Sequence, residues 1–213
     1  MVNSAHFWDS QAEKYAKQPI ANEAAYDATL DRTRHYLEED QRVLEVGCGT
    51  GTTPLKLCDG VDTYVGSDIS SSMIRIAIDK AVKKGVANVG FQTAAVGDIR
   101  DQNTPFDAVL GFNLLHLLPT LEDDLRKIAS VLKPGGLFIS KTFCGLRPGA
   151  PLKWRLMKLA LPLMQMLGKA PYVHFQKESE LKAAIEAQGF EILETRHFVT
   201  DFSVPFIVAR KTA

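Results

Sequence analysis

The sequence predicts an α/β protein, an open sheet with helices on both faces, and three observations carry that expectation. The nonapeptide Val43-Leu44-Glu45-Val46-Gly47-Cys48-Gly49-Thr50-Gly51 reads as a buried strand, a glycine turn and the start of a helix. Branched apolar runs follow it, DTYVGS at 62–67, FDAVLGF at 106–112 and LFISKTF at 137–143, and they alternate with stretches of helical period. The 213 residues show no internal repeat or linker, which fits one domain burying about 70% of the surface its unfolded form exposes.

Ahead of the first strand, residues 7–38 read as two helices divided near Pro19, with Ala25, Ala28, Tyr36 and Leu37 available to face inward. In the nonapeptide, glycines at alternate positions let the backbone take positive φ and bring a ligand close to the main chain. The helix behind the turn offers unpaired N–H groups and a partly positive end. Thr52–Cys58 is a short helix with Pro54 in its first turn, and the strand from Asp62 ends at Asp68, 17 residues after Gly51. An acid placed there in a nucleotide-binding βαβ unit accepts from both hydroxyls of a ribose; capping the serines that follow is the alternative. Ser70, Ser71 and Ser72 cap a helix running to Lys84, with a stripe of Met73, Ile74, Ala77, Ile78, Ala81 and Val82 and with Gly85 just past its end.

The third strand lies within Val86–Ala95 and leads to Gly97-Asp98-Ile99. Asn113 to Pro119 leaves the C-terminal end of the fourth strand, where ligands sit in open α/β sheets. Asn113 can present its amide there, and His116 is a candidate general base, a structural histidine being the alternative. Thr120 caps LEDDLRKIASVL, and Lys133-Pro134-Gly135-Gly136 turns the chain into the fifth strand. Ser179 caps ELKAAIEAQ, and FEILETRHFV and FSVPFIVARK are the last two strands.

Formal charge is zero, from 25 basic and 25 acidic residues, which argues against nucleic acid as a partner. Three cysteines, Cys48, Cys58 and Cys144, show no CxxC spacing, so a reduced, cytoplasmic protein without a metal site is expected. The N-terminus lacks the apolar core of a signal peptide, and no run approaches the roughly 20 apolar residues of a membrane span.

The glycine spacing is GxGxG; the dinucleotide fingerprint GxGxxG would need glycine where Thr52 stands. With Glu45 two residues ahead, VLEVGCGTG resembles motif I of the class I methyltransferases that use S-adenosyl-L-methionine. The opening FWDSQAEKYAKQP is similar to the openings of the small-molecule members, and LKPGG resembles the post-helix turn of the class. The resemblance implies a Rossmann-like doubly wound seven-stranded sheet, mostly parallel with the last strand antiparallel. It assigns Glu45, Gly47, Cys48, Gly49, Thr50 and Gly51 to the cofactor loop and Asp68 to the ribose. Asp98 would bind the adenine amino group and the Ile99 N–H a ring nitrogen, while Ile69, Met73, Asn113 and Leu114 complete the cofactor site. Trp8, Tyr15 or Phe112 would give the sulfonium an aromatic face, so Tyr15 joins His116 as a catalytic candidate, plain packing being the alternative for Trp8 and Tyr15.

The activity implied is methyl transfer to a small, apolar or lipid-like acceptor. A cofactor-binding protein without turnover and a nicotinamide-dependent oxidoreductase are the alternatives. The domain divides into a helical cap (1–40), a cofactor core (41–144), an insertion (145–177) and a C-terminal helix with a strand pair (178–213). The stretch from Lys141 to Lys177 holds seven Lys or Arg and no Asp or Glu. Its segment 150–170 reads as a lid that touches a membrane surface as a basic amphipathic helix, or else as a helix packed on the domain with its lysines solvated.

Overall fold

The computed structural model describes residues 4–99, 104–146, 160–200 and 202–212. Helices α1 (Ser4–Lys17) and α2 (Glu23–Arg34) precede strand β1 (Arg42–Val46), and the short α3 (Pro54–Leu57) follows the glycine turn. Then come β2 (Thr63–Asp68), α4 (Ser71–Lys84), β3 (Val89–Thr93), β4 (Phe106–Phe112), α5 (Leu121–Val131) and β5 (Leu132–Lys141). After a helical stretch at 160–166 the chain ends with α6 (Glu178–Glu186), β6 (Phe190–His197) and β7 (Pro205–Lys211).

The seven strands hydrogen-bond in the order β3-β2-β1-β4-β5-β7-β6. The pairs from β3 through β5 are parallel, and β7 runs antiparallel to both neighbours, as expected. Sequential neighbours reverse between β1 and β4, the switch point at which such sheets open a crevice for ligands.

Two cores sandwich the sheet, and strand alternation decides which residue joins which. Leu44, Val109 and Phe138 face Leu125, Ile128, Leu181 and Ile185 of α5 and α6. Their neighbours Val43, Leu110 and Ile139 face Leu30 of α2, Leu57 and Tyr64 on the other side. Parallel strands buried on both faces read as continuous apolar runs, which is why these were visible in the sequence.

Several expectations need correction. Ile78 and Val82 are exposed, at 44% and 74%, because α4 buries only the narrower face of Met73, Ile74, Ala77 and Ala81. Of the expected inward set, Ala25 is buried and Tyr36 and Leu37 pack on the core, but α2 also buries Leu30, Thr29 and Thr33; the two threonines tolerate burial because each hydroxyl donates to a carbonyl one turn back, Thr29 to Ala25 at 2.6 Å and Thr33 to Thr29 at 2.8 Å. Lys133 to Gly136 fall within the bounds of β5, but the register jumps from Leu132 to Leu137 opposite Phe106–Ala108 and Gly135 has φ 76°, so the expected turn is present as a bulge in the strand. Helix α6 starts at Glu178, one residue before the expected cap position, and the Glu180 carboxylate accepts the Lys177 N–H at 2.8 Å. Residues 150–159 of the expected segment 150–170 lie outside the described residues; beyond them Leu163 and Met166 of the helical stretch and Leu167 after it are exposed.

Side-chain bonds fasten the N-terminal helices over the crevice. Asp9 of α1 accepts from Ser70 Oγ at 2.6 Å and from the Ser72 N–H at 2.9 Å, a carboxylate at the N-terminus of α4. The Ser70 hydroxyl in turn accepts the Met73 N–H, so one chain of bonds caps α4 and docks α1. Helix α2 is pinned to β6 through Glu194, which accepts from Arg32 at 2.6 and 2.8 Å and from the Tyr36 hydroxyl at 2.6 Å. Burial pushes the Glu194 carboxyl up, but these bonds together with Arg196 overcome it and bring it down to about 2.

Candidate active site

The turn after β1 is where local sequence shapes the site most directly. Gly47, Gly49 and Gly51 have φ of 67°, 54° and 73°, the left-handed region. The three are not equivalent. A β-carbon at Gly47 would sit 2.8 Å from Leu114 Cδ1, and one at Gly51 would sit 2.7 Å from Ala77 Cβ and 3.0 Å from Phe91. At Gly49 it would meet only Tyr15, at 3.7 Å. Gly47 and Gly51 therefore serve packing, while Gly49 keeps open the space above the turn.

Asp68, at the end of β2, orders this loop. Its Oδ2 accepts the Gly49 N–H and its Oδ1 the Ser70 N–H, both at 2.9 Å. Burial pushes its pKa up against these bonds. Each oxygen keeps a lone pair, so hydroxyls of a bound diol can still be accepted.

Two cavities adjoin the turn. One, of about 280 Å³, is bounded by Trp8, Asp68, Ile69, Met73, Ala95 and Leu114. The other, of about 310 Å³, is bounded by Pro19, Tyr26, Thr29, Glu45, Thr53 and Lys141. Tyr15, Gly47, Gly49, Phe112 and Asn113 line both, so the cavities meet at the turn. Each has about the size at which small-molecule sites begin. Asn113 sits at the junction with φ 54°, the one non-glycine residue with positive φ among the described residues, and its N–H donates to Lys141 O at 2.6 Å. Such a conformation in a residue other than glycine is held by its surroundings and clusters at ligand sites.

Glu45 is 2% exposed and accepts from Tyr64 Oη at 2.6 Å. Burial drives its pKa to about 8; the Tyr64 bond opposes this and the Asp68 charge adds to it. Partial burial and the charges of Asp68 and Glu45 push the Tyr15 phenol up, so at neutral pH it offers a ring face and a hydroxyl donor but no base. Cys48, buried in the turn with its thiol pushed well above the usual range by burial, is a filler and no nucleophile.

The structure thus brings together Tyr15, Glu45, the turn from Gly47 to Thr50, Asp68, Ile69, Met73, Asn113 and Leu114. Gly51 lies behind the turn against α4. Besides Gly51, three expected residues are not on a cavity wall. Asp98 is exposed at the end of a 3-10 turn, Val96–Asp98. Ile99 is buried in the core, with its N–H already donated to Val96 O. That turn directs Ala94, Ala95 and Val96 to the cavity instead.

His116 is the third. A 3-10 turn at Leu115–Leu117 sends its Nδ1 to 2.8 Å from Thr142 Oγ1, with its ring 6.0 Å from Phe143. Burial lowers its pKa to about 4. His116→Ala is therefore expected to change turnover far less than the 100-fold or more that losing a general base costs, with an unaltered kcat–pH profile as the check.

Sequence reasoning passed over Lys141, Thr29 and Tyr26 as site residues. In sequence Lys141 reads as the first residue of the basic stretch 141–177, although the C-terminal end of a strand in an open α/β sheet is itself a signal of a site.

A crevice at the switch point of a 3-2-1-4-5-7-6 sheet, with a GxGxG turn and an acid after β2, defines a class I S-adenosylmethionine-dependent methyltransferase fold. Residues 15–195 match the family model described as a methyltransferase domain, and the chain belongs to that family. It is 29% identical over 139 residues to an uncharacterized methyltransferase, YcgJ, of Bacillus subtilis, covering 65% of this chain and 54% of that one. It is also 29% identical over 199 residues to the ubiquinone biosynthesis O-methyltransferase of Bordetella avium, covering 88% of this chain and 76% of that one. The next matches after the Bacillus protein span 36% and 41% of their relatives' lengths, so the chain covers about half or less of several proteins it resembles. Among solved structures, magnesium protoporphyrin IX methyltransferase of Synechocystis PCC 6803 with bound SAH superposes with a TM-score of 0.72 at 19% identity, covering 98% of each chain.

The residues present fit S-adenosylmethionine. The open space at Gly49, the Asp68 carboxylate and the apolar walls at Ile69, Met73 and Leu114 suit an adenosyl group, and the buried acid Glu45 suits a cationic end.

Proposed function

We propose that this chain transfers the methyl group of S-adenosylmethionine to a small acceptor with an apolar body. The observation that carries the reading is the junction of two cavities at Gly49, Tyr15, Phe112 and Asn113, one suited to an adenosyl group and the other with Glu45 and Thr50 for the cofactor's amino-acid end and room beyond them, toward Pro19 and Ile20, for an acceptor. Asp68 would hold the ribose, and the turn from Gly47 to Thr50 the sugar and amino-acid portion. Ile69, Met73 and Leu114 would flank the base; Asp98 would reach it only from beyond the cavity wall.

When bound, the cofactor supplies a methyl already activated on a sulfonium, so the protein's work is alignment and exclusion of water, which contribute about 7–11 kcal/mol in favourable cases. Tyr15 and Phe112, at the junction, would present ring faces to the positive sulfur. That no nucleophilic triad is required follows from the same chemistry. The ubiquinone biosynthesis relative agrees with an acceptor that has an apolar body, and the second cavity, with Ala16, Pro19, Ile20 and Phe112 on its walls, supports it.

The test is transfer of labelled methyl from S-adenosylmethionine to a panel of hydroxylated aromatic, carboxylate and amine acceptors; no transfer to any, with intact cofactor binding, would favour a binding protein without turnover. Glu45 adds a pH signature. A carboxyl with a folded pKa near 8 is protonated at pH 6 and charged at pH 9. A cationic ligand beside it is favoured by the charged form, so cofactor affinity should rise by about tenfold or less per pH unit up to about pH 8 and level off above it. Glu45→Gln should flatten that rise; an affinity equally pH-dependent in the variant would remove Glu45 from the cofactor site.

A further inference from the structure

Like Lys80, whose amine donates to the hydroxyls of Thr50 and Thr52, Lys141 is a partly buried cation held by a hydroxyl, but Lys141 lies on the wall of the crevice. It closes β5, its backbone pairs with Phe112 of β4 and Phe206 of β7, and its side chain lies on the wall of the larger cavity. The amine donates to Thr29 Oγ1 at 2.8 Å. Thr29 commits its own proton to the Ala25 carbonyl, so a hydroxyl lone pair fixes the ammonium. Two further N–H bonds remain available to the cavity.

Among the described residues no carboxylate lies within ion-pair distance of Lys141, whereas Lys133 and Lys182 each have one. The acid on the same wall, Glu45, is protonated near neutral pH by its own burial. Burial lowers the pKa of Lys141 as well. A half-buried cation whose only partner is a neutral hydroxyl is costly to maintain, and an anion in the cavity would offset that cost. Apart from Glu45 the walls are uncharged, apolar at Pro19, Ile20 and Phe112 and polar at Gln18, Tyr26 and Thr53. This arrangement suits a molecule with an apolar body and one negative oxygen.

Resting on the methyltransferase reading, we infer that Lys141 selects an oxyanion acceptor, a carboxylate or a phenolate on an apolar body, and holds its reactive oxygen at the junction of the two cavities. In the transfer that oxygen forms the new C–O bond while the C–S bond breaks, and the departing pair stays on sulfur. A carboxylate loses no proton; a phenol releases one to solvent water beforehand, favoured by the lysine's charge. The methyl ester or ether formed is neutral and no longer pairs with Lys141, which helps it leave. A simple amine, arriving as a cation, is repelled.

The experiment uses full-length protein loaded with S-adenosylhomocysteine and specifically labelled at lysine Cε, with the Lys141 signal assigned by its loss in Lys141→Arg. Decanoate, catechol and decylamine are titrated in at constant pH. Decanoate or catechol should shift the Lys141 signal saturably, while decylamine leaves it unmoved. Lys141→Met should weaken the effective anion about tenfold or more by calorimetry, with S-adenosylhomocysteine affinity within about threefold of the parent, and Lys141→Arg should restore part of the anion affinity. If neither anion shifts the signal, or if Lys141→Met binds both as the parent does, the inference fails. If Lys141→Met folds but loses S-adenosylhomocysteine instead, Lys141 serves the cofactor and the inference fails likewise. Failure of the parent protein to take up S-adenosylhomocysteine is a separate outcome, which overturns the methyltransferase reading beneath it.

Discussion

Gly49→Val is expected to abolish cofactor binding while leaving a folded protein. At this position a side chain would point into the space shared by the two cavities, and nothing but Tyr15, 3.7 Å from the new β-carbon, stands near it. The backbone cost of a branched residue at φ 54° is about 1–2 kcal/mol. For a chain of this length that corresponds to a melting-point decrease of roughly 2–8 °C. Blocking a site sterically has no such ceiling, so affinity should fall by about a hundredfold or more. Gly51→Val is the informative companion. Its β-carbon would lie 2.7 Å from Ala77 and 3.0 Å from Phe91, within packed structure, so it should lower stability far more than Gly49→Val does. Calorimetry and thermal melts on the two variants separate a ligand cradle from a packing turn; a Gly49→Val protein that binds S-adenosylhomocysteine normally would refute the cradle.

Asp68→Ala should weaken the cofactor by about 1.5–3 kcal/mol or more, at least ten- to a hundredfold, through loss of charge-assisted bonds to the ribose. The structure adds a second contribution. Asp68 also accepts the Gly49 and Ser70 N–H groups, so the alanine variant leaves both donors without that partner and loosens the turn. Asp68→Asn separates the two. Its amide oxygen can keep one loop bond while the charge is gone, so it should bind better than alanine and worse than the parent. Parent-like affinity in both variants would exclude Asp68 from the ribose.

What was legible in the sequence and what was not follows from how far each signal reaches along the chain. The glycine turn, the acid after β2 and the strand alternation are local: a few consecutive residues fix backbone conformation, and the structure shows each of them in place. The antiparallel final strand came from family resemblance, since neither alternation nor length distinguishes its direction. The resemblance assigns Asp98 and the place after the fourth strand assigns His116, and in both cases a 3-10 turn of three residues sets where the side chain goes. One residue of such a turn rotates the side chain by about a third of a circle, so a count along the loop does not say which one faces the ligand. Lys141 was hidden for another reason. Its partner Thr29 lies 112 residues earlier on a helix whose inward threonines look polar in sequence, and only the packing of α2 over the sheet brings the two together.

The most direct test of the central claim, that the crevice at the β1–β4 switch point is an adenosylmethionine site, is a calorimetric titration of the purified chain with S-adenosylhomocysteine and, separately, with NAD. One-to-one binding of S-adenosylhomocysteine, displaced by S-adenosylmethionine and lost in Gly49→Val, with no heat from NAD, is the expected result. A flat titration with both adenosyl ligands, alongside saturable binding of NAD, would contradict it.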